Sequence, residues 1–87
     1  MYEVEVREHV DRTFKKLAKK DSKQMEAIAK KVKEISQDPH PYKPLRFPLA
    51  GMRRVHIGSH ALLFSIDEAR KTIVLEDYDH HDQAYRD

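Results

Sequence analysis

The chain has 87 residues, of which 37% are charged, with 17 Lys and Arg against 15 Asp and Glu and a formal net charge of +2. That length supports one small domain over residues 1–87 with a single modest core, and so small a net charge does not by itself indicate a nucleic-acid partner. Without cysteine, disulfides and thiolate metal sites are excluded, and the lack of a signal peptide or long apolar run argues for a soluble cytoplasmic protein.

The opening Tyr2-Glu3-Val4-Glu5-Val6 alternates apolar and charged residues, the period of a strand with one buried face. Val10, Phe14, Leu17 and Ala18 then recur at helical spacing, and this first helix should stop near Lys20. Asp21 can cap a second helix, with Gln24 three places on to complete a capping box. Met25, Ile28, Ala29, Val32 and Ile35 form the apolar stripe of that helix. Pro39 and Pro41 end it, because proline lacks the amide hydrogen and disfavours helix in the residue before it. Two helices so closely linked, each apolar on one side, read as an antiparallel hairpin that needs a sheet to cover.

The segment Asp38 to Pro48 holds all four prolines and is expected to be an extended loop. Beyond Gly51, the run MRRVHI alternates, with Val55 and Ile57 on one face and Arg54 and His56 on the other. Gly58-Ser59 suits a tight hairpin turn. The runs HALLFSI and KTIVLEDY follow, separated by a turn at Asp67 to Arg70. The expected fold is α+β: an N-terminal strand, an antiparallel helical hairpin, then a three-stranded antiparallel meander, with the helices packed on one face of a mostly antiparallel sheet. The other face would be left open, carrying Arg54, His56 and whatever the C-terminal segment adds.

Charge is unevenly spread. Nine Lys or Arg fall between Arg12 and Lys33 against two acids, and Lys43, Arg46, Arg53 and Arg54 form a later cluster. Such a surface suits a phosphate-rich partner, and equally a solvated helical face. The C-terminal stretch LEDYDHHDQAYRD concentrates His80, His81, Tyr85 and several carboxylates. Together with His56 and His60 it holds enough imidazole and carboxylate for zinc, but no recognised ligand spacing appears, and no metal or other cofactor is expected. No serine sits in a nucleophile-elbow context and only two glycines are present, which sets aside Ser–His hydrolases and phosphate-cradling glycine loops.

What remains is Arg54, His56, His80 or His81, and Tyr85. Cleaving RNA through its own 2′-hydroxyl needs a base, an acid and positive charge for the phosphorane-like transition state. Histidine suits both proton transfers and arginine the charge, while tyrosine can stack on a splayed base. By residue chemistry alone, the same side chains also read as an ordinary solvated sheet face and tail.

In the order and spacing of its pieces, the chain resembles the RelE/ParE superfamily of toxin–antitoxin toxins. The start, YEVEVREHVDRTFKKLAKKDSKQMEAIAKKVKEISQDP, is similar to the family's first strand and helical hairpin. The more telling part is LRFPLAGMRRVHIGSHALLFSIDEARKTIVLEDYDHHDQAYR. It has a Leu-rich lead-in, a Gly, a basic strand, a Gly-containing turn, a strand ending in Ile-Asp, and a last strand followed by a His/Arg-rich segment closing on Tyr. The resemblance implies a toxin held inactive by a cognate, RelB-like antitoxin. Its RelE-like branch implies ribosome-dependent, metal-free cleavage of mRNA, with Arg54 stabilising phosphate charge. His56 and His80 or His81 would share the proton transfers, Tyr85 would position substrate, and Lys43, Arg46 and Arg53 would contact RNA. The ParE-like branch implies instead a non-enzymatic inhibitor of DNA gyrase. A recurrent family arginine early in the third strand meets Ala61 here, which removes one expected phosphate contact and admits an inactive, partner-binding toxin fold as a third reading.

Overall fold

A computed structural model of the chain describes residues 1–80. Among these, the elements run β1 (Glu3–Val6), α1 (Glu8–Lys20), α2 (Ser22–Gln37), β2 (Lys43–Pro44), β3 (Met52–Ile57), β4 (His60–Asp67) and β5 (Thr72–His80). The strands form one sheet in the order β1-β5-β4-β3-β2, antiparallel except where β1 lies parallel to β5. The expected α+β architecture is therefore present, with a sheet that is mixed rather than purely antiparallel.

The helical hairpin turns on Asp21 alone. Its Oδ1 accepts the Gln24 backbone N–H at 3.1 Å, and its Oδ2 accepts from Gln24 Nε2 at 3.1 Å. These bonds satisfy an amide left open by the first turn of α2, and they hold the Asp21 carboxyl below its ordinary pKa. The capping pair is the expected one, but Gln24 bonds the Asp21 carboxylate where a standard capping box would use the Asp21 amide. Glu8 and Asp11 in the first turn of α1, with Lys19 and Lys20 in its last, complement the helix dipole.

The core lies between the hairpin and one sheet face. Val10 of α1 and Ile28 and Ile35 of α2 meet Val55, Ile57, Leu62, Phe64, Ile73, Leu75 and Tyr78, all at most 7% exposed. Strands β3 and β4 contribute alternate residues to this layer, as the pleat requires, and β5 does so as far as Leu75.

Two features depart from the expected course. The proline-rich segment is not wholly loop, because Lys43 and Pro44 pair with Arg54 and Arg53 as a short edge strand. Proline is tolerated there because an outermost strand does not need every amide in the ladder. The Arg53 guanidinium ties the preceding loop down by donating to the carbonyls of His40 (3.0 Å) and Tyr42 (2.7 Å). The second departure is a β-bulge in β5. Leu63 pairs with Asp77 but the next residue, Phe64, pairs with Leu75, so Glu76 stands opposite no residue. Gly58 opens the β3–β4 turn at φ 61°, the left-handed conformation that the first central residue of a type II′ hairpin turn needs.

Candidate functional site

The sheet face away from the helices is organised in cross-strand rows. In one row Lys43 of β2 pairs with Arg54 of β3, Arg54 with Leu63 of β4, and Leu63 with Asp77 of β5. In the next, His56 pairs with Ala61 and Ala61 with Asp79. Paired residues share a face, so this side carries a cation on each of β2 and β3, an imidazole on β3 and carboxylates along β5. Ala61 and Leu63, 0% and 2% exposed, make its apolar floor.

The β5 carboxylates owe their place to the bulge. Counted by strict alternation from Ile73 and Leu75, Asp77 and Asp79 would point into the core, and Tyr78 and His80 would point away from it. The extra residue, Glu76, inverts that phase. Burial pushes the Glu76 carboxyl up, but hydrogen bonds from Arg7 Nε (2.9 Å) and Ser65 Oγ (2.6 Å), with the charge of Arg7, hold it below its ordinary pKa. Beside it, His9 Nε2 lies 3.3 Å from Asp77 Oδ1. The first turn of α1 thus closes the rim where β1 stops short of β5. Asp79 Oδ1 accepts its own neighbour's amide, His80 N, at 2.7 Å.

Of the residues singled out from sequence, Lys43, Arg54 and His56 are brought together on this open face. Arg46 is exposed in the loop after β2. Arg53 lies on the opposite side, committed to the loop carbonyls. His80 is also on the helix side: it pairs with His60, and their ring centroids are 5.2 Å apart. His60 in turn stacks on Tyr78, with centroids 5.0 Å apart and planes 6° from parallel. The Tyr78 hydroxyl donates to Gln24 Oε1, and burial, then the Asp21 charge, pushes its pKa up to about 12. His80 therefore joins a structural cluster and does not face His56. His81 and Tyr85 lie outside the described residues. Among the described residues, no group of three or more His, Cys, Asp or Glu is arranged to hold a metal ion.

Asp77, Asp79 and His9 were not singled out as members of this face. The sequence EDYDH shows alternating acids, but only the bulge decides which face they take.

A helical hairpin on one side of a small mixed sheet, with cations and a histidine across the other, defines a class of small α+β toxins. The chain belongs to the RelE/ParE superfamily, and residues 2–85 match the family model of the ParE toxin of type II toxin–antitoxin systems. It is 48% identical over 87 residues to the toxin candidate RelE4 of Methanocaldococcus jannaschii, covering 99% of this chain and 93% of that protein. Among solved structures, it is similar to a chain of the RelBE2 toxin–antitoxin complex of Mycobacterium tuberculosis. There the identity is 30% and the TM-score 0.78, with 91% of this chain and 96% of that chain covered. The isolated E. coli RelE toxin shares the fold at 16% identity, with a TM-score of 0.77 over 100% of this chain and 88% of that one. No helix among the described residues is long and apolar enough to cross a membrane.

Proposed function

We infer that this toxin is a RelE-like endoribonuclease that cuts mRNA on the ribosome and stops translation. The observation that carries this reading is the shared face of Lys43, Arg54 and His56 over a buried apolar floor. Arg54 offers a planar, permanently charged donor group to phosphate oxygens, and Lys43 beside it adds a second charge. His56, two residues along the same strand, would exchange a proton with a phosphodiester held by Arg54. His81 and Tyr85 would complete the site from the C-terminal segment, Arg46 and the helical lysines would hold ribosomal RNA without reading its sequence, and no metal is required.

A cognate antitoxin would keep the toxin silent, as the complexes formed by similar chains suggest. A groove of 490 Å³ between the hairpin and β1, lined by Val4, Val6, Phe14, Met25, Ala29 and Val32 among others, offers apolar surface for such a chain. An acidic segment that folds on binding would cover both this groove and the basic face. Failure to form a stable complex with the product of an adjacent gene would count against that partner.

The match to the ParE toxin model favours one second reading, inhibition of DNA gyrase without chemistry. Controlled expression separates the two. The nuclease reading expects protein synthesis to stop while DNA synthesis continues. Early arrest of DNA synthesis, or blocked supercoiling by purified gyrase, would establish the second reading instead.

A further inference from the structure

We propose that Asp79 is the general base of the cleavage site, working opposite His56 as general acid; this rests on the nuclease reading above. The two residues occupy the ends of one cross-strand row, His56–Ala61–Asp79. Their Cα atoms are two interstrand spacings apart, about 10 Å. Ala61 between them carries no side chain beyond Cβ and is fully buried, so it forms an apolar floor between the two side chains, over which a substrate phosphate would lie. Arg54 stands two residues from His56 on the same face, about 7 Å along the strand, where its guanidinium can hold the equatorial oxygens of that phosphate.

The other candidates on the page are less well placed. His80 faces the helices. Asp77 is engaged by His9 at 3.3 Å, and it shares a row with Arg54, not with His56. Asp79 is exposed. Its Oδ1 is held by the His80 amide, which fixes the carboxylate and leaves Oδ2 with no hydrogen bond among the described residues. A carboxylate is acceptor-only, whereas a protonated imidazole is a donor at both nitrogens. The carboxylate therefore takes the base role and the imidazole the acid role.

The step balances without any co-reactant. Asp79 takes the proton of the ribose 2′-hydroxyl as the 2′-oxygen forms a bond to phosphorus. The bond from phosphorus to the 5′-oxygen breaks on the opposite side, and His56 gives that oxygen its proton. The products are a 2′,3′-cyclic phosphate and a 5′-hydroxyl. Arg54 stabilises the charge on the non-bridging oxygens throughout.

The test uses single-turnover cleavage of ribosome-bound mRNA, with either an ordinary scissile linkage or one whose 5′-bridging oxygen is replaced by sulfur. A thiolate leaves without a proton, so the sulfur substrate needs no general acid. Asp79→Asn keeps the acceptor for the His80 amide and should melt with the wild type, yet cleave both substrates roughly 10²–10⁴-fold more slowly. His56→Gln should be slowed by a similar factor on the ordinary substrate and approach the wild-type rate on the sulfur one. Asp79→Glu should recover part of the lost rate. If wild type cuts and Asp79→Asn cuts as fast, or if sulfur rescues Asp79→Asn, the assignment is overturned while the nuclease reading stands. A wild-type protein that cuts neither substrate overturns both.

Discussion

Replacing Glu76 by Gln should destabilise the protein at neutral pH by an amount that vanishes in acid. The Glu76 side chain is 14% exposed and ion-pairs with Arg7 at 2.9 Å, while Ser65 donates to it at 2.6 Å. Hydrogen bonds to a charged group contribute about 1.5–3 kcal/mol each when buried. Arg7, however, is 52% exposed and can return to water, which brings the pair towards the surface value. A glutamine also keeps one acceptor for Ser65. The net loss is about 1–2 kcal/mol, which lowers the melting temperature by about 4–16 °C for a domain of this size. Glu76 is held below its unfolded pKa, so its contribution is fully present above the unfolded value of about 4.3 and fades as pH falls through the folded one. Calorimetry of wild type and Glu76→Gln from pH 7 to about pH 2.5 should therefore show a gap that closes in acid. An equal gap at both ends, or none at pH 7, would refute the view that the bulge is held by an ionised carboxylate.

Arg54→Ala should lower single-turnover cleavage by about 10²–10³-fold, with ribosome association measured by sedimentation nearly unchanged, because the loss falls on transition-state charge. His80→Ala should leave the cleavage rate unchanged, since its ring packs on the helix side; a large loss would mean the strand phase derived from the bulge is wrong. Tyr78→Phe should cost about 1 kcal/mol by removing the bond to Gln24, seen as a lower melting temperature with unaltered cleavage. Chelator should leave toxicity and cleavage untouched, and loss of activity restored by zinc would contradict a metal-free site.

Much of the architecture is written locally and could be read from the chain. Val55 and Ile57 against Arg54 and His56 gave the two faces of β3, Asp21 with Gln24 marked the helix junction, and Gly58-Ser59 marked the turn. Each of these signals depends on near neighbours in sequence. What was not legible depends on partners far away. The phase of β5 beyond Leu75 follows from how Arg7 and Ser65 accommodate one surplus residue, and neither the composition of TIVLEDYDH nor its alternation reveals that. His80 and His81 stood as alternatives for the same reason, since alternation alone leaves the face of His80 undetermined. Arg53 and Arg54 look interchangeable in sequence, but they are divided by the pleat, one serving the loop carbonyls and the other the open face.

The pairing of β1 with β5 sets the timing of folding. Glu3 to Val6 leave the synthesising ribosome first, yet their partners Thr72 to Leu75 are added nearly seventy residues later. The contacts between Tyr2 and Glu68 and between Arg70 and Glu5 span the same interval. Closing so long a loop gains nothing until both ends exist, so the sheet cannot be sealed on the nascent chain at an early stage. The hairpin of α1 and α2 can form during synthesis, presenting its apolar stripe before the sheet arrives to cover it. On a growing chain the sheet face that carries Lys43, Arg54 and His56 is therefore completed late, and a partner already present meets the exposed helical surface before it meets that face.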